Sequence, residues 1–229
     1  MADPMTLIGV EVPRAPVQHF AGEATAAGDL AVGDVRLLEH AVRAALECAP
    51  PEQIRMIVGE PDQGVFDMVR EYGVPEVDLG NWLSALADAA KRAGPRDCAV
   101  FLRASVPMKS YASLHRAIDT IQQWPELRRI EPAFRPTRQA LSTCFSLDRA
   151  EQGAGIALTP WALPTGECGV PCPSFEVFTL RSFSPAHFSS TAVDGSAFVW
   201  IDEKDFSLTE TPLDLLRAEL MLKEEETSR

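Results

Sequence analysis

Apolar residues follow two rhythms along the first 130 positions. Short apolar runs at 7–12 (LIGVEV), 54–58 (IRMIV), 98–102 (CAVFL) and 127–130 read as buried strands. Between them, apolar residues recur every three or four positions, which is helical spacing. A helix over 35–48 carries Leu37, Leu38, Ala41, Val42, Ala45 and Leu46, and Pro50-Pro51 stops it. A second helix, 63–72, carries Val65, Phe66, Met68 and Val69 and closes at Gly73. Asn81 is the expected N-cap of a third, running to Ala93 with Gly94 behind it. A fourth spans 111–124 through Leu114, Ile118 and Ile121. Strands alternating with helices over short connections predict an α/β fold with a mostly parallel sheet covered on both faces. The runs 7–12, 54–58 and 98–102 should then be neighbouring parallel strands.

The pattern breaks over 131–196, which is rich in Pro, Ser, Thr and Gly with short β-prone pieces such as Phe175–Leu180. This segment is expected to form an irregular, β-containing lobe. Residues 1–130 and 197–229 would make the α/β core, with a strand over 197–201 and a last helix over 212–223. Five aromatic residues of the lobe (Phe134, Phe145, Trp161, Phe175, Phe178) call for burial against something, and a homodimer through the lobe is the expectation.

Composition narrows the function classes. The chain has 229 residues, of which 46% are hydrophobic, enough for a sizeable core. No run of about 18 apolar residues suggests a membrane span, and the first residues lack a signal-peptide pattern, so a cytoplasmic location is expected. The net charge of −12 disfavours nucleic-acid binding. Five scattered cysteines (Cys48, Cys98, Cys144, Cys168, Cys172) suggest free thiols.

In open α/β sheets, ligands collect at the carboxyl ends of the strands. The loops after 7–12 and 98–102 are therefore the first candidates. Loop 14–34 carries Arg14 and His19 against Glu23, Asp29 and Asp34, and its three glycines have no phosphate-loop spacing. A plain surface loop is the better reading there. In the turn 103–110, Arg103, Ser105 and Lys109 either contact an anionic ligand or are ordinary solvated loop residues. Cys168 and Cys172 resemble half a zinc knuckle, but the second pair is missing. The four histidines (His19, His40, His115, His187) show no metal spacing, and no Gly-x-Ser-x-Gly elbow is present.

Three regions resemble the acylneuraminate cytidylyltransferases, the group that includes the CMP-sialic acid synthetases. The stretches 37–46, 54–58 and 68–74 look like that family's first helix, second strand and following helix. Residues 97–109 (DCAVFLRASVPMK) are similar to its Asp-x-x-x-Leu-Leu-Gln-Pro-Thr-Ser-Pro-Leu-Arg segment. Residues 199–219 are similar to its closing Asp-Ile-Asp-Thr-x-x-Asp stretch and helix. The resemblance implies a Rossmann-like domain of the nucleotide-diphospho-sugar transferase type, which binds CTP with Mg²⁺ and moves CMP onto a sugar acid.

The departures from the family pattern shape the functional expectation. The basic, glycine-containing loop after the first strand is not present, and only Arg14 stands in for its arginine. Arg103 replaces the glutamine and Val106 the serine of the central motif. The acidic pair falls on Leu208 and Glu210, leaving Glu210 as the one metal carboxylate. Nucleotide contacts are expected from Arg14, Arg103, Ser105 and Lys109. Losing one transition-state donor typically costs ~10²–10³ in rate. The expectation is a catalytically degenerate homologue that binds a partner, nucleotide or sugar. The alternative is an active nucleotidyltransferase acting on a sugar acid or phosphonate.

Overall fold

The computed structural model describes residues 4–12, 17–18, 24–25, 31–32, 35–59, 63–135, 145–149, 156–160, 170–183, 196–209 and 212–226. Its centre is a twisted sheet whose strands are numbered here in chain order. They are β1 (Thr6–Glu11), β2 (Ile54–Ile57), β3 (Glu76–Val77), β4 (Cys98–Arg103), β5 (Arg129–Phe134), β6 (Val170–Pro171), β7 (Phe175–Thr179) and β8 (Ser196–Ile201). The order across the sheet is β3-β2-β1-β4-β7-β5-β8. Strand β1 runs parallel to both β2 and β4, with Gly9 opposite Arg55 on one side and Phe101 on the other. The three apolar runs are therefore adjacent parallel strands, as their pattern and short crossovers predict.

Strand β7 runs antiparallel between β4 and β5. It continues β6, which pairs with the far end of β5 across an interruption at 172–174. Phe175–Thr179 thus lies in the middle of the main sheet and not in a peripheral lobe. All five of its residues are buried. A strand apolar enough to bury both faces needs neighbours on both edges, and β4 and β5 supply them. Elsewhere in the segment 131–196, Phe145–Arg149 and Ile156–Pro160 pair as an antiparallel ribbon.

Helices cover the two faces unequally. On one face α1 (Leu37–Cys48), α2 (Gln63–Tyr72) and α4 (Ala112–Gln123) pack on Ile8, Val10, Ile54, Met56, Val100, Leu102, Phe175 and Val177. The other face is covered by α3 (Leu79–Ala90), whose Trp82 and Leu86 meet Ile57, Ala99, Phe101 and Phe178. The final helix α5 (Pro212–Glu226) seats Ala218, Met221 and Leu222 against Leu37 of α1.

Local chemistry sets the helix ends. Gly73 closes α2 in the left-handed region (φ 67°), with its N–H on the Val69 carbonyl at 3.0 Å. Helix α3 begins two residues before the expected Asn81. Its cap is Asp78, whose Oδ1 accepts the Asn81 N–H at 2.9 Å, because a carboxylate at that position satisfies an otherwise orphaned helix amide. The helix stops at Ala90 rather than Ala93. Residues Val35 and Arg36, read from the pattern as the start of α1, instead pair with Ala31–Val32 as a short ribbon. No helix among the described residues is long and apolar enough to cross a membrane.

Candidate functional site

The parallel strands β1, β2, β4, β5 and β8 all end at one edge of the sheet, where the antiparallel β7 begins. In register, Glu11 at the end of β1 faces Arg103 at the end of β4. The backbone locks this pairing. Ala104 N–H donates to the Glu11 carbonyl at 3.2 Å, and Arg103 N–H to the Ser174 carbonyl at 2.9 Å.

The Arg103 guanidinium lies among acceptors. Its Nε is 3.4 Å from Glu11 Oε2, its Nη2 donates to Glu176 Oε1 at 3.1 Å, and its Nη1 donates to the Pro173 carbonyl at 2.8 Å. The same group sits 5.6 Å from the Phe101 ring centroid. Glu176 reaches a second cation, with Arg129 Nη2 3.0 Å from its Oε2, and Arg129 Nη2 also lies 3.1 Å from Glu131 Oε2. Among the described residues, two guanidiniums and three carboxylates thus share one lattice of net charge −1. Burial pushes the Glu131 carboxyl above the ordinary carboxylate range, against the downward pull of Arg129.

Ser105 and Lys109 follow Arg103 in a loop that is pinned to the segment before α5. Lys109 N–H donates to the Asp205 carbonyl at 2.7 Å, and Ser207 N–H to the Pro107 carbonyl at 3.1 Å. Met108 bridges to Phe206, and Thr209 Oγ1 donates to the Ser105 carbonyl at 2.8 Å. From α1, His40 Nε2–H donates to the Met108 carbonyl at 2.8 Å. The loop after β4 and the chain leading to position 210 are therefore held together. Arg14 and Glu210 themselves lie outside the described residues.

Of the sequence-derived candidates, the structure brings Arg103, Ser105 and Lys109 to the carboxyl edge where the strand pattern put them. It also adds residues the pattern did not flag: Glu11, Arg129, Glu131 and Glu176. One signal for Glu176 was present, a charged residue inside the otherwise apolar run Phe-Glu-Val-Phe. A buried charge in a strand needs a partner, but the sequence does not say that the partner is 73 positions away.

For Mg²⁺, the carboxylates beside Arg103 fit poorly. Glu11 and Glu176 both serve guanidiniums, and among the described residues no group of three His, Cys, Asp or Glu forms a metal-holding cluster. Cys172 is buried, with Sγ 3.5 Å from Ser174 Oγ, and burial pushes its thiol upward; its expected neighbour Cys168 lies outside the described residues.

The architecture matches solved structures along nearly its whole length. One is a CMP:2-keto-3-deoxy-manno-octonic acid synthetase complexed with CTP, 11% identical with a TM-score of 0.63, covering 96% of this chain and 99% of that one. Another is a 4-diphosphocytidyl-2C-methyl-D-erythritol synthase, 15% identical with a TM-score of 0.61, covering 96% and 100%. The chain shares the fold of these nucleotidyltransferase structures. At these identities the likeness concerns the fold alone. The finer resemblance to the acylneuraminate cytidylyltransferases is not carried by these structures. No protein-family model matches the chain, and no characterised protein matches it by sequence. Within the nucleotidyltransferase fold, Arg103 and its loop occupy the carboxyl edge of the sheet, where open α/β sheets bind ligands.

Proposed function

We propose that this protein is a catalytically degenerate member of the nucleotidyltransferase fold, which binds a partner or small ligand without transferring CMP. One observation carries the reading. Arg103, the cation at the end of β4, is held between Glu11 and Glu176. A triphosphate must be neutralised by cations before a nucleophile can approach it. At this edge the cation is already neutralised by carboxylates, which repel phosphate. The sequence supports the same reading, because no basic, glycine-containing loop follows β1.

The alternative is an active nucleotidyltransferase that uses CTP and Mg²⁺ on a sugar acid or phosphonate. Its support is the contact between Thr209 and Ser105, which holds the segment preceding Glu210 against the loop after β4. Glu210 would be its metal ligand, with Arg14 and Lys109 on the phosphates. Pyrophosphate release from each of the four nucleoside triphosphates with Mg²⁺ separates the two. Degeneracy requires no release above the uncatalysed rate; the absence of calorimetric heat with CTP, ATP and UTP at millimolar concentration would further assign the function to a protein partner. Turnover with any one of them establishes the alternative.

A homodimer belongs to the same proposal. Of the aromatics that motivated it, Phe175 and Phe178 are buried in the chain's own sheet and Phe134 stacks on Phe206 with ring centroids 5.1 Å apart. The Phe145 side chain and Trp161 lie outside the described residues. A monomer by light scattering at micromolar concentration overturns it.

A further inference from the structure

The Glu176 carboxylate bridges two arginines, with one oxygen on Arg103 at 3.1 Å and the other on Arg129 at 3.0 Å. The side chains of Glu176 and Arg129 are 9% and 8% exposed, and that of Arg103 is 27% exposed. A pair of guanidiniums around one oxyanion is the arrangement proteins use to hold a ligand carboxylate or phosphate, because each planar fork presents several donors in fixed geometry. Here the oxyanion belongs to the chain.

We propose that Arg103 and Arg129 form a two-arginine oxyanion subsite that Glu176 fills from within, and that Glu176 is the residue closing this edge to small carboxylates and phosphates. The inference rests on the degenerate reading given above and names the group responsible for it. Glu176 is anchored in the middle of β7 by pairing opposite Phe101, so its carboxylate stays tethered beside the two guanidiniums. A tethered group competes at an effective concentration that a free anion in solution does not match. The lattice already carries more negative than positive charge, so a further anion meets repulsion as well as occupancy. Replacing Glu176 by alanine removes both obstacles. It removes one carboxylate from beside each guanidinium and leaves a carboxylate-sized gap between them.

The test uses the full chain and two probes, acetate and inorganic phosphate, against chloride at matched ionic strength. E176A is expected to melt below the wild type. Its melting temperature should recover saturably with acetate or phosphate, while the wild type responds to neither beyond the chloride control. The double variant R129M/E176A should lose that recovery. A folded E176A that neither anion stabilises overturns the proposal, as does a wild type that both anions stabilise equally. If E176A does not fold, the near-isosteric E176Q takes its place. It should then bind phosphate at least tenfold more tightly than the wild type by calorimetry, and equal affinity overturns the proposal. Pyrophosphate release by the wild type from CTP would overturn the degenerate reading while leaving the E176A rescue standing. An unrescued, folded E176A would overturn this inference and leave that reading intact.

Discussion

The indole of Trp82 lies against the backbone of Gly9. A β-carbon built at Gly9 would fall 2.7 Å from Trp82 Cε2, 2.8 Å from Trp82 Nε1 and 2.6 Å from Ile57 Cδ1. The ring is 2% exposed, wedged between α3 and the centre of the sheet. Only glycine at position 9 leaves room for it.

Gly9→Ala should therefore destabilise by overpacking, by ~1–3 kcal/mol. At roughly 2–4 °C per kcal/mol for a chain of this size, the melting temperature should fall by several degrees. The tryptophan emission should shift as the ring is displaced. A variant with unchanged melting temperature and emission would mean that the indole does not rest on β1.

The clasp between the loop after β4 and the segment before α5 depends in part on a buried hydroxyl. Thr209 is 3% exposed and donates to the Ser105 carbonyl. Thr209→Val keeps the shape and removes the donor, at a cost of ~0.5–1.5 kcal/mol. A lower urea midpoint with unchanged m-value is the expected result; an unchanged midpoint would show that the bond does not hold the two segments.

Burial pushes the Cys48 thiol up to about 12, and Glu47, Cys98 and Asp119 push the same way. The thiolate is the reactive form, so native Cys48 at pH 8 should be alkylated roughly a thousandfold more slowly than in urea. The sign for stability follows. The fold keeps a proton that the unfolded thiol loses, so this contribution is complete below the ordinary thiol range and fades as pH climbs from about 9 toward 12. Between pH 8 and 10, Cys48→Ser should lose less stability than the wild type. Equal losses, or rapid native alkylation of the Cys48 peptide, would contradict the half-buried placement.

Helix α5 offers leucines on two sides with opposite expected costs. Leu213, Leu216 and Leu220 are 71%, 51% and 59% exposed, while Met221 is 6% exposed and packs toward Leu37. Met221→Ala should cost ~2–5 kcal/mol, and Leu216→Gln within about 0.5 kcal/mol. Comparable losses in the two denaturation curves would show that the outer face is covered in solution.

The parallel half of the sheet was legible because local pattern decides it. Runs 7–12, 54–58 and 98–102 are apolar on both faces and are joined through helices too short to place them elsewhere. Helix α2 was readable to the residue, since Gly73 marks its end. Strand β7 was not readable as a central element. Its neighbours β4 and β5 are distant in sequence, and nothing local to Phe175–Thr179 names them. The same distance hid the site's electrostatics. Arg103 reads as a cation available to a ligand until Glu11 and Glu176 are brought beside it. The expected cap Asn81 was wrong by three positions: Asp78 caps α3, and its carboxylate accepts the Asn81 N–H.

The clasp also bears on how the molecule is made. The loop that follows β4 is synthesised well before Asp205, Phe206, Ser207 and Thr209, which seal it from about a hundred positions further along. During synthesis the N-terminal strands can pair, but Met108, fully buried in the finished molecule, still lacks its bridge to Phe206. Sealing of this carboxyl edge therefore waits until residues about a hundred positions beyond the loop have been made. Loss of the last two dozen residues would leave a protein with its central strands intact and that edge unsealed.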